Sequence, residues 1–306
     1  MIKRLAAYET TVLIQGEIGT GKEIAARAIH YLGIRRDGPF TPVNCGALPD
    51  NLFENEMFGH VRGAFTDARD TTLGLIANAE GGTLFLDEVE ALSPKGQVAL
   101  LRFLQDGTYR PLGAKKQVEA NVRIVAASNV SLRQMADQGT FRADLMYRLA
   151  VMPLDLPPLR ARDGDVPLLA SHFIDRYNVR YGSAKHLSTA SMAALIGYQW
   201  PGNVRELENV LHRELLLCDG ETIELVGHLP FRADAPRQMR AAHGFERGFR
   251  EAKASWIEEF ERQFVTWALE QSGGNVSAAA RRAGKERRAF GRLVKKYGPF
   301  STHLGR

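Results

Sequence analysis

Thr11-Val12-Leu13-Ile14-Gln15-Gly16-Glu17-Ile18-Gly19-Thr20-Gly21-Lys22 decides the fold. The first five residues are a short β-branched apolar run stopped by Gly16, and helical periodicity follows over 23–31. A buried strand, a glycine-rich turn and a helix in that order make a phosphate-binding loop. Glycines let backbone N–H groups turn inward around phosphate oxygens. The helix N-terminus adds partial positive charge, and Lys22 reaches the outer phosphates. Gly16, Gly19, Thr20, Gly21 and Lys22 are the expected nucleotide-binding residues, with Glu23 where the general pattern has a Ser or Thr on magnesium. Taken alone, the same glycines also suit a turn that only caps a helix.

Working outward, further apolar runs lie at 40–43, 83–86, 122–127 and 150–154, separated by helical stretches such as 94–105 and 132–138. Strands alternating with helices predict a parallel α/β sheet. Leu156-Pro157-Pro158-Leu159 ends that pattern. Three helices follow at 166–181, 188–197 and 203–218, with Ser188 and Asn203 as expected N-caps. They make an all-helical subdomain. Residues 229–251 carry Pro230, Pro236, Gly244 and Gly248 and read as a linker. The expected division is therefore 1–160, 161–228, a linker at 229–251, and a helical unit at 252–306.

Asp87 and Glu88 close the run at 83–86. Carboxylates there lie at the sheet edge where ligands bind. Asp87 is suited to holding magnesium and Glu88 to polarising an attacking water. Asn129 ends the next strand, placed to sense a γ-phosphate. Arg142 and Arg148 share a short helix. Arginine suits the charge on a transferring phosphoryl group, although single helical arginines are ordinarily surface residues. Between the glycine loop and the acids stands Gly63-Ala64-Phe65-Thr66-Asp67-Ala68. Phe65 there is either an exposed partner contact or an anchor packed back on the sheet.

The chain of 306 residues has room for two or three domains. No apolar run approaches the roughly 20 residues of a membrane span. Residues 1–6 read as running straight into the first strand, without a signal pattern. Cys45 and Cys218 form no framework or metal motif, and the cytoplasm is the expected location. Charge is uneven: residues 271–306 hold nine Lys or Arg and one acid, Glu286, against a whole-chain net of +5. A basic tail on a mildly acidic body points to a polyanion partner at one end. In that tail, 274–284 reads as a short helix and 286–297 as a second, bearing Arg287, Arg288, Arg292, Lys295 and Lys296. Phe290, Leu293, Val294 and Tyr297 give the second helix one apolar face. The pair suits a helix-turn-helix on DNA or an oligomerising hairpin.

The motifs, in order, resemble one family. They are Gly-Glu-Ile-Gly-Thr-Gly-Lys-Glu (16–23), Val-Asn-Cys-Gly-Ala-Leu (43–48), Phe-Gly-His (58–60), the loop at 63–68, Gly-Gly-Thr-Leu-Phe-Leu-Asp-Glu (81–88), Phe-Arg-Ala-Asp-Leu (141–145) and Trp-Pro-Gly-Asn-Val-Arg-Glu-Leu-Glu-Asn (200–209). The chain resembles the sigma-54-dependent transcriptional activators, or bacterial enhancer-binding proteins, of the AAA+ class, and its end resembles their Fis-type DNA-binding domain. The resemblance implies an α/β AAA+ P-loop NTPase with a parallel sheet and helical lid, then a small all-α helix-turn-helix domain. It implies ATP and Mg2+, a homo-oligomeric ring taken as a hexamer, double-stranded enhancer DNA, and sigma-54 RNA polymerase holoenzyme, whose closed promoter complex is remodelled. It further implies that Asn44 restrains Glu88, that Arg142 and Arg148 are fingers for a neighbour's ATP, and that Arg205 is the lid arginine. Phe65 and Thr66 become sigma-54 contacts, and Glu23 is the family's usual residue. Asp67 departs from the family's usual Gly, which is the feature favouring the alternative, a DNA-binding regulator whose AAA+ module no longer engages sigma-54. Lys285-Glu286-Arg287-Arg288 departs from the family's usual opening of the second helix, so base preference does not carry over.

Overall fold

Five strands lie parallel in the order β2-β3-β4-β1-β5: β1 Val12–Gln15, β2 Phe40–Asn44, β3 Thr83–Asp87, β4 Arg123–Ser128 and β5 Met152–Asp155. The structure is a computed structural model and describes residues 1–66, 68–225, 257–258, 261–262, 264–269 and 271–297. Asp67, the expected linker 229–251 and the rest of the tail lie outside them. The chain divides into two compact units, Met1–His228 and Leu229–Arg306.

The first unit is layered because its strands alternate. Leu13, Leu84, Leu86, Ile124 and Ala126 face one side, where they join Phe53, Met57, Leu100, Phe103, Leu145 and Leu149. Val12, Ile14, Phe85, Val125 and Ala127 face the other and join Leu5, Ala25, Ala26 and Ile29. A two-residue side-chain period with both faces covered explains why these strands read as continuous apolar runs. The helices are α1 (Ile2–Ala6), α2 (Lys22–Tyr31), α3 (Asp50–Phe58), α4 (Leu75–Asn78), α5 (Pro94–Asp106), α6 (Leu132–Asp137) and α7 (Ala143–Leu149). Ser93 caps α5 and Ser131 caps α6 through their hydroxyls. Both outer strands contain proline, Pro42 in β2 and Pro153 in β5. Edges are where a missing N–H is tolerated.

Residues 1–6 do not run straight into a strand. They form α1, whose last carbonyls accept from the buried guanidinium of Arg123: Leu5 O at 2.7 Å and Ala6 O at 3.4 Å. A cation at the carbonyl end suits the helix dipole. Apolar periodicity over so few residues could not reveal a helix whose end is capped from more than 100 residues away.

The lid holds α8 (Asp165–Tyr181), α9 (Thr189–Gly197) and α10 (Asn203–Leu217). It also holds a short parallel pairing of His186–Leu187 with Thr222–Ile223, so it is not purely helical. Ser188 is the N-cap of α9, accepting from Ser191 N–H. Asn203 is not the N-cap of α10; Gly202 is. Asn203 is fully buried with φ +52°, and its amide is spent elsewhere. Oδ1 accepts from Leu159 N–H at 2.7 Å, while Nδ2 donates to Ile18 O at 3.0 Å and Glu17 Oε2 at 3.1 Å. The side chain thus staples the lid to the glycine loop.

In the second unit, residues 264–269 are helical, and α11 (Val276–Arg282) and α12 (Arg287–Tyr297) follow. Val265, Ala268 and Leu269 pack with Ala279, Ala280 and Phe290.

Asn203→Ala is expected to leave Leu159 N–H and Ile18 O unpaired, costing about 2 kcal/mol, or roughly 4–8 °C of Tm for a domain of this size. Asn203→Gly loses the same bonds but accepts a positive φ without strain, so it should melt between the two. Equal melting of both variants would remove backbone strain from the account.

Candidate functional site

The glycine loop leaves β1 and closes around the Lys22 side chain. Lys22 Nζ donates to Gly16 O at 2.8 Å, Glu17 O at 3.1 Å and Asn129 Oδ1 at 2.6 Å. Burial pulls the Lys22 pKa below its ordinary value, opposed by the charges of Asp87, Glu90 and Glu88. Thr20 is buried and donates its hydroxyl to Glu17 O at 2.8 Å. Gly21 is the N-cap of α2 at φ +98°, with nothing within 4 Å of where a Cβ would stand. Gly19 has φ +79° for a different reason: a Cβ there would lie 2.3 Å from Gly202 O.

That close approach is one of several grips of the lid on the loop. Val204 N–H donates to Gly19 O at 3.0 Å. Arg160 clasps the Glu17 carboxylate with both nitrogens, at 2.8 and 2.5 Å, and these bonds bring its pKa down to about 2. Arg162 donates to Thr20 O at 2.9 Å. Between loop, sheet edge and α10 lies a cavity of about 230 Å³. Of the sequence-predicted residues, Gly19, Gly21, Lys22, Glu23, Asp87, Glu88, Asn129 and Arg205 line it. Gly16 and Thr20 build the loop behind it. Asn44, Arg142 and Arg148 are not on its wall. Ile18, Ile24, Val204 and Glu208 also line it and were given no role from sequence; Ile18, Val204 and Glu208 stand within quoted motifs, but only the docking of the lid on the loop brings them to one cavity.

Asp87 and Glu88 are two of the three carboxylates that act on Lys22. Burial raises the Asp87 pKa, partly offset by Glu88 N–H, which donates to Asp87 Oδ1 at 3.0 Å. Glu88 has φ +56° and ψ 45°, a left-handed conformation costing a non-glycine residue roughly 1–2 kcal/mol. Its Oε2 lies 2.8 Å from where a Cβ on Gly46 would stand, and Asn44 Oδ1 is 3.3 Å from the same point. Asn44 is therefore beside Glu88, but its oxygen is committed to the turn Cys45–Ala47, accepting from Gly46 and Ala47 N–H at 2.8 and 3.1 Å. No cluster of three or more His, Cys, Asp or Glu set to hold a metal occurs among the described residues. Two oxygen-donor carboxylates beside a phosphate cradle fit magnesium, which completes its shell with phosphate and water.

Arg142 is the N-cap residue of α7, its N–H held by the buried Gln97 at 2.9 Å. Its guanidinium pairs with Asp144 at 3.0 and 2.7 Å. Arg148 stands exposed in the last turn of the same helix. The inserted loop leaves α3 through a two-residue antiparallel pairing, Gly59–His60 with Thr72–Leu73. Gly63 N–H donates to Ala68 O at 2.8 Å, closing it. Phe65 is 45% exposed, with its ring centroid 4.9 Å from that of His60 in a tilted pair. It is braced by a neighbour and still presented to solvent, so neither sequence reading is complete. Thr66 beside it is exposed.

In the second unit, Asn275 caps α11, accepting from Ser277 and Ala278 N–H. Phe290 and Tyr297 of α12 are buried, and Leu293 and Val294 pack against the same core. Arg287, Arg288, Arg292 and Lys295 stand exposed on the other faces.

Residues 1–155 match the sigma-54 interaction domain. The chain belongs to the sigma-54-dependent transcriptional activators. Residues 160–243 match the AAA+ ATPase lid domain, and 257–297 the Fis family of bacterial regulatory proteins. With the parallel sheet and the glycine loop, these make the fold an AAA+ P-loop NTPase with a helical lid and a C-terminal helix-turn-helix. The chain is 42% identical to the nitrogen fixation protein AnfA of Azotobacter vinelandii, covering 97% of this chain and 55% of that protein. It is 50% identical to the sigma54-dependent transcriptional activator SfnR of Pseudomonas putida over 73% of this chain and 61% of SfnR. The solved structure of NtrX from Brucella abortus in complex with ATP is 33% identical with a TM-score of 0.68, over 97% of this chain and 66% of that one. The chain thus spans between half and two thirds of these three relatives' lengths. No described helix is long and apolar enough to cross a membrane.

Cys45 lies under the acids: it is 3% exposed, and its thiol is pushed up to about 12 by burial and then by the charges of Asp87, Glu90 and Glu88. It should stay protonated at pH 8. Iodoacetamide at that pH should leave Cys45 unmodified in the folded chain and alkylate it in denaturant, as read by peptide mass spectrometry. Labelling of the native chain at the unfolded rate would contradict the buried placement.

Proposed function

We propose that the chain is an ATP-hydrolysing activator that binds double-stranded enhancer DNA and, as a ring of subunits taken as a hexamer, remodels the sigma-54 RNA polymerase closed promoter complex. The observation that carries the proposal is the convergence of Lys22, Asp87, Glu88, Asn129 and Arg205 on one cavity. In this reading, the glycine loop and Lys22 bind the phosphates of ATP, and Asp87 holds Mg2+, which supplies charge neutralisation when bound. Glu88 takes a proton from the attacking water. Arg205 brings the lid to the terminal phosphate. Arg142 and Arg148, off their own cavity and exposed, act on the ATP of the next subunit, which requires a ring. Asn44 sits beside Glu88 at the head of the segment that runs through α3 to Phe65 and Thr66. That segment is the covalent route by which the nucleotide state reaches the sigma-54 contact. The domain boundaries 1–160, 161–228 and 252–306, and a cytoplasmic location, belong to the same proposal.

Two measurements test it. Glu88→Ala should retain nucleotide binding and lose turnover, while Lys22→Ala should lose binding. With an ATP transition-state mimic, the wild-type chain should capture sigma-54, and Phe65→Ala should hydrolyse ATP yet fail to capture it. Turnover and mimic binding without capture by wild type, rescued by Asp67→Gly, would establish the regulator-only alternative instead.

The DNA half is tested separately. Arg288→Ala or Arg292→Ala should weaken binding, and a residue that touches only phosphate should flatten the log–log salt slope by roughly 1. Removal of residues 252–306 without loss of DNA affinity would refute the assignment of this unit.

A further inference from the structure

The left-handed turn at Glu88 does more than end β3. It feeds the short 3-10 helix Val89–Ala91 and so brings Glu90 back against the end of β4. There, Glu90 Oε1 accepts twice from Asn129, from the backbone N–H at 3.0 Å and from Nδ2 at 2.8 Å. Glu90 Oε2 is buried without a hydrogen-bond partner among the described residues. A carboxylate only accepts and an ammonium only donates. The Asn129 amide, held between Glu90 and Lys22, therefore has one satisfied orientation: nitrogen toward Glu90, oxygen toward Lys22.

This arrangement occupies Lys22 and sets the orientation of Asn129, the two groups that a terminal phosphate needs. Lys22 is spent on two loop carbonyls and Asn129 Oδ1, and one of the two N–H groups of Asn129 Nδ2 is spent on Glu90. We propose that Glu90 is a positioning residue that sets Asn129 to distinguish a nucleoside triphosphate from a diphosphate. This rests on the ATPase reading above. Phosphate oxygens draw Lys22 off Asn129 Oδ1. The amide, released from Lys22 and still held to Glu90 by one Nδ2 N–H, then aims its second N–H at the terminal phosphate. Throughout, Glu90 keeps the backbone N–H of Asn129 and so fixes the pivot. A diphosphate lacks the group that this second N–H reaches, so it does not read the Glu90-set orientation.

The test uses the full chain with Glu90→Ala, Glu90→Met and Glu90→Gln, and with Asn129→Ala alone and combined with each of the first two. Fluorescent ATP and ADP analogues give affinities, and steady-state hydrolysis gives kcat and KM. Glu90→Ala and Glu90→Met should lower kcat about tenfold or more and narrow the ATP-to-ADP affinity ratio, with ADP affinity within about threefold of wild type. Met fills the space of Glu without an acceptor and carries the test if the Ala variant does not fold. Glu90→Gln keeps a carbonyl for the backbone N–H and should recover kcat to within about threefold. Adding Asn129→Ala to either defective variant should cost little more, because the two residues act as one unit. Wild-type kcat and affinity ratio in folded Glu90→Met, equal losses for ATP and ADP, or additive losses with Asn129→Ala would each overturn the proposal. Absence of turnover in wild type would instead sink the ATPase reading, and the affinity ratio would still decide the role of Glu90.

Discussion

The buried ammonium of Lys22 sets the terms for everything around it. A lysine drawn out of water must be surrounded by acceptors, and here these are two loop carbonyls and an asparagine oxygen, with three carboxylates behind them. The loop carbonyls of Gly16 and Glu17 face inward on the Lys22 ammonium, in a loop that turns through left-handed Gly19 and Gly21. Asn129 is within reach because β4 lies next to β1, and the acids because β3 lies next to β4. Strand order, glycine placement and acid placement thus answer one electrostatic demand. An anion entering this cavity meets a cation already detached from solvent, held only by neutral oxygens that it outcompetes.

The lid takes part in the same arrangement. Gly202 approaches Gly19 so closely that no side chain fits between them, and Asn203, Val204, Arg160 and Arg162 all fasten on loop residues. The loop is therefore no independent motif. Its shape is shared property of the sheet and of residues some 140 to 190 positions further on. Movement of α10 must be felt at Gly19 within the length of a hydrogen bond.

Much of this was legible in the sequence, and what was not had physical reasons. The three central strands could be read because they are buried on both faces, which writes an apolar run, whereas the outer two are partly exposed and were read from shorter apolar stretches. The phosphate loop and the acid pair could be read because backbone geometry and charge restrict which residues serve. The helical nature of residues 1–6 was hidden, since the segment is short and its stabilising partner, Arg123, sits on the fourth strand. Asn203 was misread as a cap because Asn before a helix usually is one, and only the three-dimensional contact with Leu159 and Ile18 shows its other use. Glu90 carried no signal at all: a third acid near a pair looks like solvated surface until the turn at Glu88 aims it at Asn129. Phe65 fell between two readings because His60 braces a ring that solvent still reaches.

Both margins of the sheet end in a proline-bearing strand, at Pro42 and at Pro153. A strand laid against either margin would find a donor missing from it, which weakens any extension of the sheet. Copies of this chain that meet are steered away from the margins of this sheet, toward other surfaces. Such contacts are made of side chains, which exchange partners singly, whereas a strand ladder lets go all at once. The proline borders thus favour association that adjusts and reverses over association that sets.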